Sequence, residues 1–149
     1  MITFYDKSGT CMSRRTEGEV TGATIWIDLL NPASEEEQIV ERALGLDVPT
    51  RAEMREIEVS NRFYTEAGAH FMTALLMQAV DGDAPIISNV TFILIGDRLV
   101  TVRYAEPKAF AIFADRAIKG DPPCASGPEV LMGLLETIVQ RQADHIERI

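Results

Sequence analysis

The sequence predicts an α/β fold, a three-layer α/β/α sandwich with a mixed, largely antiparallel sheet and a long C-terminal helix. Segments rich in β-branched and aromatic residues occur in two groups, one near the N-terminus and one in the middle of the chain. Capped amphipathic helices lie between and after them. With 46% hydrophobic residues, the 149-residue chain can bury a core without disulfides or structural metals. Helices around a block of strands are typical of a sheet covered on both faces.

The first elements are two strands, Met1–Tyr5 and Thr24–Leu30, joined by a polar connection that contains glycine. A helix follows, because Ser34 and Glu37 form an S-x-x-E capping box. Its predicted buried face consists of Ile39, Val40, Ala43 and Leu44. Gly45 suits the left-handed position that ends a helix, with Leu46 folding back as its hydrophobic contact.

A second, short helix begins at another capping box, formed by Thr50 and Glu53. Met54 and Ile57 share its apolar face at a spacing of three residues.

An antiparallel meander is predicted from Arg62 onward, where the hydrophobic period changes. Its strands are Phe63–Ala67, Ala69–Met77, Val90–Ile95 and Leu99–Tyr104. Gly96–Arg98 is short enough for a hairpin, whereas Asp81–Pro85 is a longer turn. The side chains expected to be buried across the whole sandwich are Trp26, Phe71, Phe92, Ile93, Val100 and Leu134.

The last two elements are helices. Pro107 suits the first position of one helix, which Gly120 ends. Its apolar residues are Phe110, Ile112, Phe113, Ala117 and Ile118. The final helix, Gly127–Ile149, has an apolar stripe of Leu131, Leu135, Ile138, Ile146 and Ile149 that reaches the last residue without a stop signal. We therefore expect a helix that is cut short; the alternative is a natural terminus that frays.

Composition excludes several classes of function. A net charge of −9 argues against nucleic-acid binding, which needs clustered lysine and arginine. The chain has neither a signal peptide nor a window of about 18 apolar residues, so it is expected to be soluble as given. Cys11 and Cys124 form neither a disulfide framework nor a metal motif, which favours a reducing cytosol. The common nucleophile and phosphate-loop motifs are absent, so an enzyme is not indicated.

Candidate metal ligands cluster on the second helix. Glu53 and Glu56 lie one turn apart and Glu58 follows, which places several carboxylates where a hard cation could find oxygen ligands. The competing interpretation is an ordinary solvated helix face, in which Arg51 and Arg55 pair with these carboxylates.

The ordered set of motifs resembles the N-terminal cytoplasmic domain of the CorA family of magnesium and other divalent-cation transporters. The motifs are Trp26–Leu29 before an acidic helix, Leu44-Gly45-Leu46, the helix over Glu53–Glu58, the strands Val90–Ile95 and Leu99–Tyr104, and Leu131–Glu136. The resemblance spans nearly the whole chain.

The resemblance implies a homopentamer whose cytosolic domains bind Mg²⁺ or another divalent cation between subunits and favour the closed state. Residues 1–126 would then be the cytoplasmic α/β domain, and residues 127–149 the start of a stalk helix packed on it. The protein would lie on the cytoplasmic face of the inner membrane, with its membrane helices beyond residue 149. It would transport Mg²⁺ or Co²⁺.

The resemblance also assigns the metal ligands. Glu56 and Glu136 match acidic positions of the family, on the short helix and on the terminal helix. Arg55 stands where a further carboxylate is expected, and Glu53 is the nearest substitute.

Two other functions stay open. A ZntB-like zinc transporter shares the architecture of the resemblance. A free-standing soluble α/β domain, either a small-molecule binder or an enzyme without a standard motif, is the alternative from another class. Membrane helices encoded after Ile149 would decide for a transporter.

Overall fold

Seven strands form a single mixed sheet in the computed structural model, which describes residues 1–78 and 84–147. The strands are β1 (Ile2–Ser8), β2 (Cys11–Arg15), β3 (Thr24–Leu30), β4 (Phe63–Glu66), β5 (Ala69–Gln78), β6 (Ile86–Ile95) and β7 (Arg98–Arg103). The helices are α1 (Ser34–Leu44), α2 (Arg51–Glu56), α3 (Lys108–Ile118) and α4 (Gly127–Glu147), with a short 3-10 helix at Val59–Asn61. The predicted α/β class and the mixed sheet are confirmed.

The strand order is β2-β1-β3-β7-β6-β5-β4. β3 and β7 pair in parallel, with Ile27 opposite Val100, while the other neighbours pair antiparallel. The predicted meander is therefore present as β4 to β7. The sequence did not predict strand β2, because Cys11–Arg15 is mostly polar. The strand lies at the edge of the sheet and buries only one side chain, Met12, which is too few for a strand pattern in the sequence.

Each face of the sheet has its own core, so the sandwich has three layers. On one face, α3 and α4 cover Trp26, Phe92 and Leu99. On the other face, α1 and α2 cover Phe71 and Val100. The side chains predicted to be buried are buried without exception: Trp26, Phe71, Phe92, Ile93, Val100 and Leu134.

The start of α1 differs from the prediction. The cap residue is Ala33, and Glu36 Oε1 accepts a hydrogen bond from the Ala33 amide at 3.0 Å. Ser34 is already inside the helix, so the box expected from Ser34 and Glu37 is wrong by one residue. Glu36 is held there because the Met1 amino group also lies 3.0 Å from its carboxylate.

The buried face of α1 is narrower than predicted. Val40 is fully buried and Ile39 and Leu44 are half-buried, whereas Ala43 is exposed. The predicted end of the helix is confirmed, since Gly45 has φ +67° and donates its amide hydrogen to Glu41 O at 2.9 Å. Leu46 is buried directly after it.

Two other predicted boundaries shift by a few residues. Pro107 is the cap of α3 rather than its first residue, and Ile112 is exposed on the outer side of that helix. Strand β6 begins at Ile86, four residues earlier than predicted. The hairpin at Gly96 is confirmed. Residues 81–83 of the predicted turn Asp81–Pro85 lie outside the described residues.

Helix α4 runs to Glu147, as its apolar pattern predicts, and Arg148 and Ile149 lie outside the described residues. Val130, Leu134 and Ile138 bury its inner side, whereas Ile146 near its end is exposed. A glycine is required at its first residue. A Cβ on Gly127 would lie 2.5 Å from Leu99 N and against the carbonyl carbon of Arg98.

Candidate metal-binding carboxylates and a buried polar network

The short helix α2 carries two of the predicted metal ligands, and its start is fixed by the predicted capping box. Thr50 Oγ1 accepts a hydrogen bond from Glu53 N at 3.1 Å, and Glu53 Oε1 accepts one from Thr50 N at 3.3 Å. Glu53 therefore already has a structural role. Met54 is buried against the sheet and anchors the helix.

Glu56 is the last residue of α2, and its side chain is exposed, as are those of Glu53 and Glu58. Among the described side chains of residues 1–78 and 84–147, no three of His, Cys, Asp or Glu lie close enough to hold a metal ion. The described part of one copy thus offers carboxylates at this helix without a group of three ligands.

The predicted ion pairs on α2 are not formed. Among the described residues, neither Arg51 nor Arg55 approaches a carboxylate within 4 Å. The Arg51 guanidinium instead lies over the Tyr104 ring, 5.2 Å from its centroid. The carboxylates of Glu53 and Glu56 are therefore not neutralised by these arginines, which is the opposite of what their spacing suggests.

Glu136, the third predicted ligand, lies on α4 and is exposed. Helix α4 packs on the face that contains Trp26, and α2 packs on the opposite face. The sheet therefore separates Glu136 from Glu53 and Glu56 within one copy of the chain. Glu53 and Glu56 therefore share one helix, one turn apart, whereas Glu136 lies across the sheet from them.

The structure contains a buried polar network at the centre of the sheet that the sequence analysis did not predict. Arg103 Nη2 donates to Asp28 Oδ2 at 2.7 Å, and Arg103 Nε donates to Asp28 Oδ1 at 3.0 Å. Thr101 Oγ1 donates to the same Oδ1 at 2.7 Å and accepts from Trp26 Nε1 at 3.0 Å. The Arg103 guanidinium lies 4.4 Å from the centroid of the Phe110 ring.

The network satisfies each charged group almost completely, with Asp28 4% exposed and Arg103 8% exposed. A buried ion pair survives desolvation only with such geometry. The available signal was Asp28 inside the apolar strand Thr24–Leu30 and Arg103 at the end of Arg98–Arg103, a strand that also begins with an arginine.

Comparison with known families identifies the group to which this domain belongs. The family described as "CorA-like Mg2+ transporter protein" matches residues 21–149, which is most of the chain. The chain belongs to the CorA-like family. Among the described helices of this CorA-like chain, none is long and apolar enough to cross a membrane.

Curated relatives are magnesium transport proteins. The CorA protein of Pectobacterium atrosepticum is 35% identical over 128 residues, which are 85% of this chain and 40% of the relative. The CorA protein of Pasteurella multocida is 30% identical over 138 residues, which are 93% of this chain and 43% of the relative. The CorA-like chain thus spans about two fifths of the length of these relatives.

Solved structures share the fold at low identity. The complete CorA magnesium transporter of Methanocaldococcus jannaschii matches with a TM-score of 0.73 at 14% identity, over 99% of this chain and 47% of that one. The ZntB cytoplasmic domain of Vibrio parahaemolyticus matches with a TM-score of 0.69 at 12% identity, over 98% of this chain and 62% of that one. At these identities the likeness concerns the fold alone.

Proposed function

We propose that this domain is the cytosolic regulatory part of a transporter that moves divalent cations passively across the inner membrane, with Mg²⁺ as the main ion and Co²⁺ as a second. The observation that carries the proposal is the 30–35% identity to magnesium transport proteins over most of the chain. In this proposal the domain senses the ion and catalyses no reaction.

The placement of the carboxylates supports regulation between subunits. Glu56 and Glu136 lie on opposite faces of the sheet, so one copy cannot bring both to a single cation. Two neighbouring copies in a ring can, if α2 of one copy faces α4 of the next. Such a site fits a homopentamer, in which α4 continues as the stalk towards the membrane.

Arg55 shapes this proposed site. It adjoins Glu56 without forming an ion pair within the described residues, and it leaves the carboxylate exposed to solvent and to a neighbouring subunit. The nearby positive charge weakens cation binding, and Glu53 supplies an additional carboxylate one turn away. Bound Mg²⁺ would stabilise the closed state only through its greater affinity for that state.

The test uses the full-length transporter that carries this domain, reconstituted into liposomes. We expect uptake of Mg²⁺ and Co²⁺ that Mg²⁺ on the cytosolic side suppresses. The double variant Glu56→Ala, Glu136→Ala should relieve the suppression and retain the flux. The matched control is Glu17→Ala with Glu147→Ala, which removes the same charge from exposed positions outside the proposed site.

The outcomes separate the two parts of the proposal. No uptake of Mg²⁺, Co²⁺, Ni²⁺ or Zn²⁺ would refute the transporter function. Uptake of Zn²⁺ alone would replace magnesium by zinc as the transported ion. Uptake with unchanged suppression in the double variant would refute the assignment of Glu56 and Glu136 and leave the transport function intact.

A further inference from the structure

A cleft of about 410 Å³ lies between the sheet and helix α3, on the face opposite α2. Its floor contains Thr3, Tyr5 and the Asp28–Arg103 pair, and Arg14 and Lys108 also line it. The volume is within the range of small-molecule sites, which is about 300–1,000 Å³. None of these residues belongs to the carboxylate sites discussed above.

The topology of the sheet places this cleft at a point where open α/β sheets bind ligands. β3 and β7 are adjacent and parallel. β3 leads to α1 on one face, whereas β7 leads to α3 on the other. A crevice forms beyond the carboxyl ends of two parallel strands whose connections diverge in this way. Asp28 and Arg103 lie near those ends, next to the cleft.

Two hydroxyl groups on β1 open into the cleft. Thr3 is 4% exposed and Tyr5 is 5% exposed, yet both side chains line the cavity. Their neighbours Asp28, Thr101 and Trp26 satisfy one another through the buried network, and the Arg14 guanidinium is the hydrogen-bond partner of the Tyr5 hydroxyl at the cleft. Burial and the Asp28 carboxylate raise the pKa of Tyr5, so its hydroxyl stays protonated and can donate a hydrogen bond.

The charges around the cleft favour an anion. Asp28 and Arg103 neutralise each other, and among the other lining side chains Arg14 and Lys108 stand against the carboxylate of Glu106. Arg14 also forms an exposed ion pair with Asp115 at 3.8 Å outside the cleft, and an exposed pair of this kind contributes little energy for an anion in the cleft to overcome. The side chains that line the cleft thus carry more positive than negative charge, in a chain with net charge −9. Helix α3 also starts beside the cleft, with no acidic residue in its first turn and no side-chain cap, so its dipole adds to the positive potential.

We propose that this cleft binds a small organic anion through a phosphate or carboxylate group. The anionic group lies between Arg14 and Lys108, and the hydroxyls of Thr3 and Tyr5 orient the rest of the molecule. This function is independent of cation transport and of the carboxylates on α2 and α4.

The chain carries its own probe for this proposal. Trp26 is the only tryptophan, and its indole contributes to the floor of the cleft. Fluorescence of the purified 149-residue chain is measured while inorganic phosphate or sodium succinate is added at constant ionic strength. We expect a saturable change for at least one of them below about 10 mM. The probe that binds more tightly identifies the anionic group.

Three variants locate the binding. Arg14→Met with Lys108→Met should weaken the affinity at least about tenfold, because both charges of the rim are lost. Lys7→Met with Lys119→Met removes two exposed lysines outside the cleft and should leave the affinity unchanged. Tyr5→Phe keeps the ring stacked on Trp26, 4.1 Å between centroids, and should weaken binding about threefold through the lost hydroxyl.

Three results would overturn the proposal. The first is the absence of a saturable change with both probes. The second is an equal loss of affinity in the two double variants, which indicates unspecific attraction to positive charge. The third is an unchanged affinity in Tyr5→Phe, which places the anion outside the cleft. Because none of these measurements uses transport, their failure leaves the proposed transporter function untouched.

Discussion

Replacing Arg103 by methionine tests how strongly the buried polar network constrains this domain. Methionine preserves much of the aliphatic volume but removes the guanidinium that donates two short hydrogen bonds to Asp28. Among the described residues, the Asp28 carboxylate, 4% exposed, would then keep only the Thr101 hydroxyl as a donor. Its charge would be buried without a counter-ion.

The expected loss of stability is large. Removing one partner of a buried ion pair typically costs about 3–5 kcal/mol, because the remaining charge is desolvated and unpaired. A chain of 149 residues has an entropy of unfolding of about 0.3 kcal/mol/K near its midpoint. Arg103→Met should therefore lower the melting temperature by about 10–15 °C.

Two comparison variants isolate the cause. The double variant Asp28→Leu, Arg103→Met removes both charges and should recover at least about 2 kcal/mol relative to Arg103→Met, since an apolar replacement of a buried pair is often neutral. Arg14→Met removes an exposed charge that pairs with Asp115 at 3.8 Å, and should change the free energy of unfolding by less than about 1 kcal/mol.

The measurement is chemical and thermal unfolding followed by circular dichroism. A loss below about 1 kcal/mol in Arg103→Met would show that water or a structural relaxation solvates Asp28, and would refute the reasoning from burial. A double variant as unstable as Arg103→Met would refute it in another way, because the lost packing of Arg103 rather than the unpaired charge would then explain the effect.

Three further predictions concern stability and are checked by the same unfolding measurements. Gly127→Ala forces a Cβ against the backbone of Arg98 and Leu99 and should lower the free energy of unfolding by about 2 kcal/mol. Gly22→Ala, with open space around it, should leave the free energy of unfolding unchanged, and equal effects of the two variants would contradict the steric argument. The hydrogen bond from Arg15 lowers the pKa of Asp6, so the folded state is stabilised when Asp6 is ionised. Asp6→Asn should therefore show its full loss of stability at pH 7, and this loss should disappear as the pH falls through the folded-state pKa of Asp6. A loss that does not depend on pH would argue against the pairing. Thr50→Ala removes the cap of α2 and should cost about 1 kcal/mol, and an unchanged midpoint would show that the cap hydrogen bond adds nothing.

Local signals in the sequence were sufficient for most of the fold. The capping box of Thr50, the left-handed end at Gly45 and the apolar strand segments of β5 to β7 each depend on residues close in sequence, and each of these predicted features is present. Errors arose where a tertiary contact chose between local alternatives. Glu36 rather than Glu37 completes the cap of α1, because the Met1 amino group lies beside it.

The candidate sites depend on contacts that sequence spacing does not contain. Asp28 and Arg103 are 75 residues apart and meet only because β3 and β7 pair in parallel, with Asp28 opposite Thr101. That pairing also forms the cleft beside α3. Glu56 and Glu136 show the opposite case, in which residues predicted to share a site do not meet in one copy. Both are exposed, but they lie on opposite faces of the sheet. A cation that uses both must therefore join two copies, which makes assembly, and not the fold of one copy, the condition for the proposed regulation.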